Sequence, residues 1–394
     1  MANVSYHRGE LRKRTVAESK NDIEQKTQGV PKDTPEHNCF GVAQLHLAKV
    51  LGDKKAGTFV SAVIADGYFE LPLLDQGRLL TRKVAELEDG QKVVDALLKS
   101  EVDRLRALAV TVYEAHHADE MELMIRFLYR SGAMAGTWTQ ETSQSVLKDV
   151  IHKHGLEKVL SKVYRWATNN DPAIRRMLIE AIRPRGVWCR HIDELKRDPA
   201  ILKEILEQVL DDPSEYVRKA AANNLNDISK DNPEIVCQWV KEWSKGKITP
   251  EREWVIQRGL RTLVKNADPT ALALMNFGGA DKLDVVWKRG TPETVKIGEA
   301  IPFTVVITNR DSKTIKVRLQ VTMIGPGKGD KRRISKYLLG TVSIAKGKSK
   351  ELVKSIKFAH KNSIQKVPGN YELQLSCNGR DIDKRSFDYE GEGL

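Results

Sequence analysis

The sequence predicts a mainly α-helical chain built from repeated helix pairs and closed by a C-terminal β-sandwich. Three observations carry this. Proline-started helices recur at a period of about 40 residues, as in DPAIRRMLIEAIRPRGVW from Asp171 and DDPSEYVRKAAANNLNDISKD from Asp211. Apolar residues are spaced i, i+3, i+4, i+7 from about Cys39 to Met275. Beyond NFGGADKLD the spacing changes to strict alternation.

The segments follow in order. Residues 1–36 are polar, with too few apolar side chains for a core, and read as a flexible arm. Residues 37–277 read as one helical domain. LLTRKVAEL, VVDALLKSEVDRLRALAVTVYEA, MELMIRFLYR, SVLKDVIHKH and ILKEILEQVL each carry an apolar stripe. Breaks fall at DG, NNDP, RDP, DDPS, KDNP and ITPE, and Pro172, Pro213, Pro233 and Pro250 suit first-turn positions, where a missing N–H costs nothing. A third repeat follows at Thr249–Lys265. Paired helices at this period are the mark of a HEAT-like α-solenoid. FGGAD reads as a linker. Residues 278–394 read as an immunoglobulin-like β-sandwich, with Gly, Asn, Asp and Lys turns between alternating strands.

Charge points to the partner. The chain carries a formal +12, and residues 280–394 hold 23 Lys/Arg against 13 Asp/Glu. The repeated helices open on basic pairs, Arg175 and Arg176, then Arg218 and Lys219, with Arg258 and Arg261 in the third copy. A basic stripe of this kind suits a polyanion such as duplex DNA. Lys331, Arg332 and Arg333, with Lys328 and Lys336, read as a basic loop between two strands, either a solvated hairpin tip or a second DNA contact.

Other classes fit poorly. No apolar run approaches the roughly 20 residues of a membrane helix, and no signal-peptide segment opens the chain. Cys39, Cys189, Cys237 and Cys377 are scattered, with no CxxC, so a reduced cytosolic setting without metal or cofactor is expected. His116, His117, His152 and His154 lack a matching nucleophile or ligand set and read as surface or packing residues.

Four places carry candidate chemistry. In IRPRGVW, Pro184 pushes Arg183 out of the helix. Arg183, Arg185 and Trp188 then stand on a loop, where the indole is either a lid on the core or a stacking surface for sugar or base. Asp227 lies near a helix C-terminus, where a carboxylate opposes the helix dipole. It serves either an inter-helix hydrogen-bond network or the stabilisation of positive charge. Glu141, in WTQETSQS, is either a capping partner or a second acid.

IRPRGVW, DPSEYVR…ANNLNDISKD and EREWVIQRGLRTLVK, with IGEAIPFTVVITN and VPGNYELQLSCNG near the C-terminus, resemble the bacterial DNA alkylation repair proteins of the AlkC type, relatives of AlkD. The resemblance implies a monofunctional DNA glycosylase that releases cationic alkylpurines such as 3-methyladenine without flipping the base, and a monomer is expected. It places the family's groove tryptophan at Trp188 and its groove aspartate at Asp227. The family's catalytic glutamate falls at Ser145 here, with Gln144 beside it, and the nearest acid is Glu141, one turn earlier. A non-catalytic binder of damaged or branched DNA and a protein-binding scaffold are the alternative readings.

Overall fold

A computed structural model describes residues 47–394, except 88–89, 187–188, 289, 328, 330, 361–364 and 392–394. The arm at 1–36, Cys39, Trp188 and Lys328 lie outside the described residues. Packing divides the chain into two compact units, one ending at Asp227 and one starting at Ile228.

The first unit is helical: α1 (Asp53–Ala65), α2 (Leu73–Ala85), α3 (Gly90–Leu98), α4 (Asp103–His117), α5 (Met121–Gly132), α6 (Thr137–His154), α7 (Leu156–Val163), α8 (Pro172–Ala181), the short α9 (Asp193–Arg197) and α10 (Leu202–Glu207), and α11 (Glu215–Ile228). The long apolar run at 93–115 is two helices. They part at Ser100, whose hydroxyl accepts the Val102 N–H at 3.1 Å. Helices α4, α6 and α8 are successive neighbours, and α5 and α7 pack against α6. The α11 side of this row is joined by Asn224, fully buried, which donates to the Ile179 carbonyl of α8 at 3.0 Å. The Ala220–Ala222 face beside it is buried, and small side chains there permit that close approach.

Local chemistry fixes the helix ends. Asp171 caps α8 by accepting the Ala173 N–H, with Pro172 in the first turn. Pro213 differs from the expectation: it lies two residues ahead of α11, because Asp212 turns the chain by accepting the Ser214 N–H at 2.8 Å. The start of α6 has no cap of its own. Asp103, in the first turn of α4, accepts from the Trp138 and Thr139 N–H groups at 2.7 and 3.1 Å. Gly136 is required there, because its φ is 123° and a Cβ would strike the Asp103 carboxylate.

The second unit begins with α12 (Pro233–Trp243), α13 (Pro250–Gly259), α14 (Arg261–Lys265) and α15 (Pro269–Leu274). The third sequence repeat is therefore two helices, interrupted at Leu260. Among the described residues the strands are β1 (Leu283–Trp287), β2 (Ala300–Asn309), β3 (Ile315–Pro326), β4 (Arg332–Ile344), β5 (Ser349–Lys357), β6 (Gly369–Cys377) and β7 (Arg380–Tyr389). They form a β1-β2-β5 sheet and a β4-β3-β6-β7 sheet, with every paired neighbour antiparallel. Their inner faces bury Trp287, Phe303, Phe358, Tyr371 and Phe387 in one core.

The FGGAD segment is docked rather than a free linker. Phe277 bridges Lys316, Asn378 donates to the Gly278 carbonyl at 2.9 Å, and Ile315 leaves no room for a Cβ at Gly278. Gly379, at a φ of 85°, lies against Ala267 and Leu272. The last α-helix ends at Leu274 and the first strand starts at Leu283, and packing groups the last four helices with the sandwich.

Candidate active site and nucleic-acid interface

Helices α6, α8 and α11 bring five ionisable side chains into one row. Glu141 of α6 pairs with Arg176 of α8 at 3.0 Å. Arg176 pairs with Glu180 at 3.1 Å, and Glu180 with Arg183 at 2.7 Å. Arg183 closes the row on Asp227 of α11, both its Nε and its Nη2 donating to Oδ2, at 2.8 and 2.7 Å. Arg176 and Glu180 are i, i+4 neighbours on one face of α8, and Arg183 follows just past the end of that helix. Three carboxylates against two guanidiniums leave the row with one net negative charge.

Exposure separates the acids. The side chains of Asp227 and Glu180 are 3% and 8% exposed, while that of Glu141 is 42% exposed. Burial by itself would lower the arginine pKa values. The Glu180 and Asp227 carboxylates outweigh it at Arg183, and Glu180, Tyr216 and Glu141 do so at Arg176, so both are held above their ordinary value. Tyr216 completes the outer end of the site. Its ring lies 4.0 Å from the Arg176 guanidinium, and its hydroxyl donates to Gln140 of α6 at 2.9 Å. Glu141 is not a capping partner: it accepts from Gln144 at 2.6 Å, and Asp103 caps the helix.

Asp227, Glu141, Arg176 and Arg183 are thus brought together, whereas Trp188 lies outside the described residues. Glu180, which sequence reasoning missed, joins them. Its signal was legible as the Arg176–Glu180–Arg183 spacing. Lys148 was also missed, although a lysine one turn before Ile151 on a core-facing helix marks a buried charge.

The expected DNA-contacting residues separate into two kinds. Arg175 clasps Asp212 through Nε and Nη2, at 2.6 and 2.9 Å, and gives Nη1 to the Asn169 and Asn170 carbonyls. Arg218 donates to the Asp212 and Pro213 carbonyls, at 2.6 and 2.9 Å. These two hold the turns between helices. Lys219 is exposed and pairs with Glu215 at 2.8 Å, a surface contact that exchanges readily with solvent. Arg185 is half-buried on the loop after α8. In the second unit Arg258, over the Trp254 ring, and Arg261 are exposed. Lys331 sits in the β3–β4 turn, but Arg332 and Arg333 belong to β4 rather than to a loop, and as strand neighbours they point to opposite faces. Lys336 is likewise on β4 and donates to Asn266.

Among the described residues no group of three or more His, Cys, Asp and Glu could hold a metal ion, and no helix is long and apolar enough to cross a membrane. His154 meets the Ala118 carbonyl at 2.8 Å, a packing contact.

Comparison with known proteins bears on both parts of the chain. Residues 75–261 match the model of the DNA alkylation repair enzyme family, and residues 287–391 match that of the C-terminal Ig-like domain of the uncharacterised protein YhaZ. Bacillus subtilis YhaZ itself is 31% identical over 232 residues, which take in 59% of this chain and 64% of that protein's length. Among solved structures, the alkylpurine DNA glycosylase AlkC of Pseudomonas fluorescens, bound to DNA containing an abasic site analogue, superposes with a TM-score of 0.78 at 19% identity. The match covers 89% of this chain and 97% of AlkC, so the two share a fold. The chain is thus similar to the DNA alkylation repair enzyme family over residues 75–261 and to the C-terminal Ig-like domain of YhaZ over residues 287–391, each match spanning less than half of its length.

Proposed function

We propose that the protein is a DNA glycosylase that hydrolyses the N-glycosidic bond of cationic alkylated purines, of the 3-methyladenine type, without flipping the base. The observation that carries this is the carboxylate row Glu141–Glu180–Asp227, set by Arg176 and Arg183 within the stretch that matches the DNA alkylation repair enzyme family. The AlkC structure of the same fold, an alkylpurine DNA glycosylase bound to DNA, supports the choice of substrate.

The chemistry asks little of the protein. An N3- or N7-alkylated purine already carries positive charge, so it leaves without protonation. As the C1′–N bond breaks, its electron pair neutralises the purine and positive charge moves to the deoxyribose. Fixed carboxylates near the sugar stabilise that charge, as in glycoside hydrolysis. Asp227 and Glu180, buried and tied to arginines, act through their field and do not attack. Glu141, the exposed acid, orients the water that adds at C1′ and takes its proton. Trp188 takes the role of the groove tryptophan and covers the sugar. Arg185, Lys219, Arg258, Arg261, Lys331, Arg332 and Arg333 contact phosphates, and Arg175 and Arg218 hold the turns that present them. No metal or cofactor enters this scheme, and the protein acts as a monomer in the cytosol.

A second reading, a binder of damaged DNA that does not cleave, is favoured by Ser145 at the family's glutamate position and by the arginine pairing of all three acids. The two readings separate in one experiment: incubation with N-methylated duplex DNA and chromatography of the released base. Free methylated purine supports the glycosylase, and binding without release supports the alternative.

A further inference from the structure

Beneath the carboxylate row, Lys148 of α6 is fully buried and takes no part in the proposed reaction. Its ammonium donates to the Arg183 carbonyl at 2.7 Å. Pro184 ends the helix there, so that carbonyl has no helical N–H to accept. Gly186 lies so close that an added Cβ would stand 2.9 Å from the ammonium and collide with the Cys189 sulfur. The lysine head therefore sits against both Arg183 and Gly186, the two ends of the Arg183–Gly186 turn. Arg183 in turn holds both Glu180 and Asp227. Burying an ammonium is costly, and burial holds Lys148 below its ordinary pKa against the opposing pull of Cys189 and Asp227. An apolar residue would fill the same space without that cost.

We propose that Lys148 is a positioning residue that holds the Arg183–Gly186 turn and so sets where Arg183 holds Asp227. The catalytic part of this inference rests on the glycosylase reading above, while the turn-holding part does not. Lys148 touches no reacting atom. It acts through Arg183, and its loss misplaces the acids without removing them.

The test uses the full-length protein, Lys148→Met and, as an independent route to the same turn, Gly186→Ala. Hydrogen exchange is read at the two amides that pin the turn, Arg183 to the Glu180 carbonyl and Ile192 to the Pro184 carbonyl. Single-turnover base release and duplex affinity are measured alongside, with far-UV circular dichroism and Tm as controls. Both variants are expected to exchange faster at these amides, to keep the parent Tm within a few degrees and duplex Kd within about threefold, and to lose rate by about 10², the typical cost of a misplacement near 1 Å. The double variant should be no slower than the slower single one. Unchanged exchange at both amides overturns the proposal. So does loosening of the turn with a parent-like rate, or a parallel fall of rate, affinity and Tm, which marks a merely structural lysine. A parent protein that releases no base refutes the glycosylase reading instead, and exchange at the two amides still decides whether Lys148 holds the turn.

Discussion

Replacing Asp227 by Asn keeps the shape of the site and removes one charge. The side-chain oxygen of Asn still accepts from Arg183, and Glu180 still pairs with that guanidinium at 2.7 Å. Losing one partner of a buried pair costs about 3–5 kcal/mol when nothing replaces it. Here a neutral hydrogen bond replaces a charge-assisted one, so the expected loss is about 1–2 kcal/mol. A domain stable by about 5–15 kcal/mol remains folded. The reaction loses more. The row changes from one net negative charge to none beside the developing oxocarbenium, and removing one fixed charge-stabilising group lowers rate by about 10²–10³, or roughly 2.7–4 kcal/mol. The assay is single-turnover release of methylpurine from duplex DNA, with Tm and Kd measured on the same samples. A parent-like rate for Asp227→Asn refutes the electrostatic role of Asp227.

Other predictions follow from the same geometry. Glu141→Gln lowers the single-turnover rate with little change in affinity, and Ser145→Glu does not restore it; restoration would place the second acid at Ser145 instead. Lys331→Ala with Arg332→Ala weakens duplex binding and flattens its salt dependence by about 0.9 in log–log slope for each phosphate no longer neutralised, while Arg175→Ala lowers Tm and leaves the slope unchanged; a steeper loss of binding from Arg175→Ala would reverse these assignments. These substitutions are preferred to truncation at Ala280, which would strip Ala267, Leu272 and Gly278 of their partners in the sandwich. Burial, with Asp149 adding to it and Lys153 opposing, pushes the Glu114 carboxyl up to about 7. The folded state therefore favours the protonated acid, and stability falls as pH rises from the ordinary carboxylate range through 7. Glu114→Gln should raise Tm at pH 8 and flatten the profile between pH 5 and 8; an unchanged profile removes Glu114 as its source.

Much of the fold was legible because the signals are local. Pro172, Pro233 and Pro250 open helices as their sequence context requires, Pro184 follows the end of α8, and period-two alternation beyond Asn276 becomes strands β1 to β7. The site was legible in residue type but not in partner. Arg175 and Arg176 are adjacent and alike in sequence. Arg175 meets Asp212, 37 positions on, and becomes a structural clasp, while Arg176 joins the acids. Nothing local to Asp212 announces that contact. The start of α6 was opaque for the same reason, since its cap comes from Asp103 on another helix. Lys331, Arg332 and Arg333 read as a loop because a charged run masks alternation, yet β4 begins at Arg332 and pairs it with Pro326. The 277/278 boundary follows the change of periodicity, which records backbone type, whereas compactness follows contacts such as Gly379 against Ala267 that no window of sequence contains.

The central claim is that this protein breaks the glycosidic bond of a cationic purine. It is tested most directly by incubating full-length parent protein, in excess, with duplex DNA carrying N-methylated purines. The base fraction and the strand are then followed separately. The account predicts free methylpurine in the soluble fraction and a strand that stays intact until alkali cleaves it at the new abasic sites. Tight binding of the methylated duplex with no base released would contradict it.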